Sequence, residues 1–206
     1  QMMKGLYRMV SGVDLAIGRI RKEINRLELG DNTIIIFMSD HGMFYGERGL
    51  SDCWLLYEDP IRVPLIIFDP RLGGTMRRGT TIEQMALNLD IAPTILELVG
   101  LDIPPEMQGC SVVPLLANHC PKTWQTDFFC EHLFDHPKIP KSEGVRTERW
   151  KYMRYFEQQP ICEELYDLKT DPLETTNLAD NTEFADQLAQ LRKRCGQLRQ
   201  EAERRY

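Results

Sequence analysis

Two short runs constrain this chain more than anything else in it. Thr33-Ile34-Ile35-Ile36-Phe37-Met38 and Val63-Pro64-Leu65-Ile66-Ile67-Phe68 are apolar at almost every position and rich in β-branched residues. A strand with one wet face alternates polar and apolar residues. A run without alternation suits a central strand covered by helices on both sides, as in a parallel sheet. Asp59-Pro60 and Asp69-Pro70 bracket the second run as turns, and Pro64 is tolerable near a strand's start. Ahead of the first run, Met3, Leu6, Val10, Val13, Ile17, Ile20, Ile24 and Leu27 step by three and four, marking one helix face. A coiled coil would give the same stripe. Gly5, Gly12 and Gly18 each weaken a free helix by about 1 kcal/mol relative to alanine, which favours a helix packed on a sheet. Gly30-Asp31-Asn32 is expected to stop it. A second helix is predicted over Ile91 to Val99, with Asp90 as N-cap, Pro93 in the first turn and Gly100 at the end.

The pattern changes near Pro114. Asp127 to Phe134, Gly144 to Phe156 and Glu164 to Leu168 read as short aromatic strands, and Glu183 to Arg204 as a closing helix. The expected organisation is an α/β core over residues 1–114 and a small α+β subdomain over 115–206. The 206 residues carry 25 basic and 31 acidic side chains, a net charge of −6, which argues against a general nucleic-acid binder. No apolar run is long enough to span a membrane. The six cysteines form no C-x-x-C pair and read as buried or free thiols, which leaves the compartment open. No basic-then-apolar leader follows Gln1, so any export signal would lie upstream.

Several residues carry chemistry. Ser39-Asp40-His41-Gly42 directly follows the first strand, and open α/β sheets bind ligands beyond the carboxyl ends of their strands. A carboxylate beside an imidazole there can hold a divalent metal; the plain alternative is a polar turn. Gly46-Glu47-Arg48-Gly49 could bring a guanidinium to an anion. His132 and His136 stand at a spacing that holds zinc on helices, but Glu131 precedes His132, and Pro137 and Pro140 oppose a helix. Arg146, Arg149 and Lys151 alternate at strand spacing and could present one face to an anion. Residues 138–154 carry six basic and two acidic side chains; residues 157–180 carry seven acidic and one basic. These are either solvated faces that attract each other or, for the basic run, a strip that meets substrate.

The order of motifs resembles the C-terminal portion of type I sulfatases, in the alkaline phosphatase superfamily. The resemblance rests on Tyr7, Gly12-Val13-Asp14 and Gly18-Arg19, then Asp31-Asn32-Thr33 leading into Ser39-Asp40-His41-Gly42. It continues through Tyr57-Glu58, Arg62-Val63-Pro64, Leu89-Asp90-Ile91-Ala92-Pro93-Thr94 and Gly109-Cys110-Ser111. Gly144-Val145-Arg146-Thr147, Trp150-Lys151-Tyr152, Glu164-Leu165-Tyr166-Asp167-Leu168, Asp171-Pro172 and Asn177-Leu178 complete it. Each motif is weak alone; together they run along nearly the whole chain. The resemblance implies the C-terminal part of an alkaline phosphatase-like sandwich with a mostly parallel sheet, followed by a small antiparallel sheet and a C-terminal helix. It also implies a sulfuric ester hydrolase acting on a sulfated small molecule or carbohydrate. Such enzymes use a formylglycine nucleophile and a calcium ion, and by match Asp40 and His41 fall at the later metal position.

Three departures qualify that expectation. No cysteine or serine opens the C/S-x-P/A-x-R activation motif, so the formylglycine segment would lie upstream, in the N-terminal part of the same enzyme. Cys53 stands where the family places a sulfate-binding lysine, and Arg48 where related sequences have a histidine. A thiol is uncharged at neutral pH, and an arginine cannot shuttle a proton. His132, His136 and Arg146 are further substrate-binding candidates. The expected state of the chain alone is inactive, with half a metal site and a tendency to self-associate. The competing readings are a non-catalytic binding or interaction module, and a phosphoester or phosphonate hydrolase of the same superfamily. A periplasmic or secreted location follows family habit only.

Overall fold

A computed structural model describes residues 2–72 and 79–204. The first helix, α1, spans Met2–Arg26, where the apolar stripe placed it. Its end is made by Glu28 in the left-handed region (φ +57°), with Leu29 N–H donating to Ile24 O at 3.0 Å. Gly30 instead opens a single 3-10 turn, Gly30–Asn32.

Strands β1 (Ile35–Met38) and β4 (Leu65–Phe68) form where the two apolar runs lie. They pair with each other, and antiparallel, from Ile35 opposite Phe68 to Met38 opposite Leu65. The expected mostly parallel sheet is therefore corrected for these two strands. A parallel crossover needs a helix long enough to return the chain. Between β1 and β4 lie only the β2–β3 hairpin (Phe44–Tyr45 and Ser51–Asp52) and the four-residue α2 (Glu58–Ile61). Neither strand is fully covered: β1 is half-buried throughout, and Ile66 and Phe68 of β4 are exposed.

Helix α3 (Ile91–Leu98) follows the predicted span, but Asp90 does not cap it with its side chain. The fully buried carboxylate accepts from Leu87 N–H and Cys110 N–H, each at 2.8 Å, and from Gln125 Nε2 at 2.6 Å. Thr94 Oγ1 accepts from Val112 N–H at 2.9 Å, tying α3 to the start of α4 (Val113–Leu116). Pro114, where the sequence changes character, lies inside α4.

The C-terminal sheet is an antiparallel meander of β5 (Asp127–His132), β6 (Ser142–Thr147), β7 (Trp150–Tyr155) and β8 (Cys162–Asp167). Helix α5 (Ala185–Glu203) lies across one face, as the resemblance implied. Period-two alternation divides the sheet cleanly. Val145, Tyr152 and Leu165 join Leu188, Leu191 and Cys195 of α5 in one core. Met153 and Tyr166 face the other way and pack with Phe44, Leu56 and Tyr57. This second core joins residues from both sides of Pro114. All six cysteines are free thiols. Among the described residues, no helix is long and apolar enough to cross a membrane.

Candidate functional site

The turn after β1 is built to a definite shape. Ser39 Oγ donates to His41 O at 2.8 Å, and Asp40 Oδ1 accepts from His41 N–H at 2.9 Å. That backbone bond, with the His41 imidazole, holds the Asp40 carboxyl below its usual range. Asn88 Nδ2 donates to Asp40 O at 2.8 Å, so the segment leading into α3 also fixes this turn. Gly42 lies against α2: its N–H donates to Pro60 O at 2.6 Å, and a Cβ there would sit 2.0 Å from Asp59 O. Only glycine permits that approach.

His41 Nδ1 lies 2.8 Å from Gly42 O, a contact that suits Nδ1–H as donor. Nε2 is 3.8 Å from Cys53 Sγ and 3.7 Å from Asp40 Oδ2. Cys53 Sγ is 3.4 Å from Asp52 Oδ1. Burial and the neighbouring carboxylates of Asp52 and Asp40 push the thiol's pKa up. Cys53 is therefore a neutral thiol at pH 7, neither cation nor thiolate. The structure thus brings Asp40, His41 and Cys53 together, across twelve residues of sequence between the last two.

This donor set matches calcium only in part. Asp40 fits in kind, because its carboxylate is oxygen, ionised and 85% exposed. In number the set falls short. Among the described residues no three His, Cys, Asp or Glu side chains converge as a metal site, while calcium takes about six to eight oxygens. The residues present do not fit calcium by themselves.

Trp54, which sequence reasoning missed, extends the site. Its ring lies 5.6 Å from His132 and stacks on Phe134 at 5.1 Å; Phe134 in turn stacks on His136 at 6.0 Å. His132, the last residue of β5, and His136, on the β5–β6 loop where no helix forms, thus join the Cys53 edge through the rings of Trp54 and Phe134. Burial lowers the His132 pKa, and its Nε2 is buried without a hydrogen-bond partner among the described residues. An aromatic residue beside Cys53 was the available signal; its partners are far along the chain.

Arg48 and Arg146 point elsewhere. Arg48, at φ +58°, donates to Glu174 O at 2.6 Å and to Leu173 O, with its guanidinium 4.2 Å above the Tyr57 ring. Arg146 lies 3.3 Å from Glu58 Oε2. Lys151, directly opposite Arg146 and fully buried, sits 2.8 Å from Glu58 and 2.6 Å from Glu174. Burial pushes both carboxyl groups up; for Glu58 the cations Lys151 and Arg146 outweigh it, and for Glu174 Lys151 and the Glu58 N–H bond do not. Arg146 and Lys151 lie opposite each other and both meet Glu58, so these two cations are already paired. Arg149 pairs outward with Asp167 at 2.7 Å, and Lys141 with Glu157 at 3.0 Å. Lys141, Arg149 and Lys151 of the basic run thus pair with Glu157, Asp167 and Glu174 of the acidic run, while Arg146 and Arg154 pair with Glu58 and Glu143 outside it.

The chain is similar to known proteins along most of its length. Residues 46–201 match the family described as N-sulphoglucosamine sulphohydrolase, C-terminal. The chain is 33% identical, over its whole length, to 36% of an N-acetylglucosamine-6-O-sulfatase of Bacteroides thetaiotaomicron. In structure it resembles a protein solved with its substrate D-glucosamine-2-N,6-O-disulfate: TM-score 0.84, 31% identity, 96% of this chain and 39% of that one. It also resembles the phosphonate monoester hydrolase of Agrobacterium radiobacter: TM-score 0.82, 29% identity, 95% of this chain and 40% of that one. The chain thus spans little more than a third of the length of these relatives. It belongs to the sulfatase family, to the part that forms the C-terminal portion of those enzymes.

Proposed function

We propose that this chain is the C-terminal portion of a sulfuric ester hydrolase acting on a sulfated small molecule or carbohydrate. The observation that carries the reading is the convergence of Asp40, His41 and Cys53 just beyond the carboxyl end of β1. In this reading Asp40 and His41 face the metal side, and Cys53 faces the sulfate. The formylglycine nucleophile and the remaining calcium oxygens come from the N-terminal part of the enzyme. The glucosamine disulfate bound by one structural relative supports a sulfated amino sugar as the first substrate to try. The aromatic ladder of Trp54, Phe134 and His136 offers flat faces beside the reacting group, where a sugar ring can pack.

Sulfate ester cleavage needs a nucleophile and charge stabilisation on the sulfuryl oxygens. Alone, the chain supplies neither, so we expect no turnover of a chromogenic aryl sulfate, with or without calcium. A longer form that includes the N-terminal part should turn it over. Within that form, Cys53→Lys places a cation where the neutral thiol stands. One such donor is worth about 2–4 kcal/mol in the transition state, so kcat should rise at least tenfold. Turnover by the chain alone would refute the first expectation. An unchanged or slower Cys53→Lys enzyme would show that another cation already fills the role.

The phosphonate monoester hydrolase likeness favours a second reading, a phosphonate or phosphoester enzyme. A phosphonate monoester run beside the sulfate in the same assay separates them. Tight binding of sulfated sugar by the longer form, with no turnover of either substrate, would support the non-catalytic module instead.

A further inference from the structure

We propose that Glu174, on the turn Asp171–Thr176, is a positioning residue that holds the Asp40–His41–Cys53 cluster in place from the C-terminal subdomain. The inference rests on the reading of that cluster as the site, and its test reads geometry rather than turnover.

Asp171 braces the turn, accepting from Thr175 Oγ1 at 3.0 Å and Thr176 N–H at 2.9 Å. Glu174 takes a left-handed φ of +52° and is 1% exposed, although its neighbour Leu173 is 73% exposed. A charged residue in that conformation and at that burial is held by its surroundings. The surroundings are the two ends of one segment, residues 48–58, which carries Cys53 at its middle. At one end Arg48 donates to the carbonyls of Leu173 and Glu174. At the other, Glu58 N–H donates to Glu174 Oε2 at 2.8 Å. Lys151 then binds Glu58 and Glu174 together from beneath. One turn therefore clasps both ends of the Cys53 segment.

The contact chain continues to the metal-side residues. Glu58 opens α2, and Asp59 and Pro60 of α2 receive Gly42 in backbone contact. Gly42 O in turn faces His41 Nδ1, fixing the imidazole that points Nε2 at Cys53. Each link is a hydrogen bond, an ion pair or a backbone approach with no room for a methyl group. Releasing Glu174 should loosen α2 and the Cys53 segment first, and the Asp40–Gly42 turn through them.

The test is hydrogen–deuterium exchange by mass spectrometry on the whole chain, with alkylation of Cys53 as a second readout. In Glu174→Ala, amides within residues 40–62 should exchange about tenfold faster, while α3 and α5 keep their protection. Cys53 should alkylate several-fold faster relative to Cys110. Glu174→Gln keeps an acceptor for Glu58 N–H and should recover part of the protection. Arg26→Ala, which cuts an exposed pair within α1, should leave residues 40–62 unchanged. If Glu174→Ala does not fold, Arg48→Ala decides, because it opens one end of the clasp and leaves the Lys151 pairs intact. Unchanged exchange and alkylation in both variants would overturn the proposal, as would a rise shared equally by every segment. Failure of the proposed hydrolase activity would leave these exchange results standing, so the two readings fail separately.

Discussion

Lys151 shows how much one buried charge can decide. Its ammonium is fully enclosed and meets two carboxylates, while Arg146 shares the Glu58 side. Removing one partner of a buried pair leaves the other uncompensated, at about 3–5 kcal/mol. Lys151→Met should therefore lower the urea midpoint sharply, and Lys151→Arg, which keeps the charge but must fit a larger head, by less. A loss below 1 kcal/mol in equilibrium unfolding would mean that water reaches Glu174. Asp167 is the simpler case. The Arg149 guanidinium, bonded at 2.7 and 2.9 Å, holds its carboxyl at about 2. A carboxyl depressed on folding stabilises the fold above its unfolded pKa, about 3.9, and that contribution fades as pH falls toward 2. Unfolding midpoints of the parent and of Asp167→Asn should differ at pH 7 and converge near pH 2. A constant difference would place the effect in packing.

At the scale of elements, glycine positions carry sharp expectations. A Cβ on Gly109 would lie 2.0 Å from Leu89 O, where Asp90 gathers three donors. Gly109→Ala must push that backbone apart, so we expect about 1–3 kcal/mol of destabilisation, read by thermal unfolding against the parent. The same elements show what could be read from the chain. Strand and helix positions were legible because apolar periodicity is local: α1, β1, β4, α3 and α5 all form where spacing placed them. The direction of β4 was not, because a doubly apolar run reports coverage and says nothing of strand polarity. Asp40, His41 and Cys53 could be singled out from short motifs and from the family resemblance. Their joining was hidden, since it depends on a hairpin whose Gly46, Arg48, Gly49 and Asp52 all take positive φ. The role of Glu174 was hidden more deeply. It sits in an acidic run that reads as solvated surface, and its partners Arg48 and Glu58 lie 126 and 116 residues away.

The whole molecule has one coherent half and one open one. The C-terminal sheet has a core on each face, packed by α5 and by the Phe44–Tyr57 segment. In contrast, α1 leaves Tyr7 66%, Val10 58% and Ile20 58% exposed along its length. Among the described residues β1 and β4 pair only with each other, with Ile66 and Phe68 uncovered. Apolar surface on this scale, next to unpaired strand edges, drives association. In the longer form proposed above, the N-terminal part should cover it; for the chain alone another copy is the available cover. Sedimentation velocity over rising micromolar concentration should therefore show species larger than a monomer. Val10→Glu combined with Val13→Lys places charges on the α1 face without touching either C-terminal core. It should shift the chain toward monomer and leave its thermal unfolding midpoint nearly unchanged. If the parent sediments as a single monomer at every concentration, the exposed face does not drive association. If the charged variant still associates, the contact lies on the β1–β4 edges, and Ile66→Lys is the substitution that should then release it.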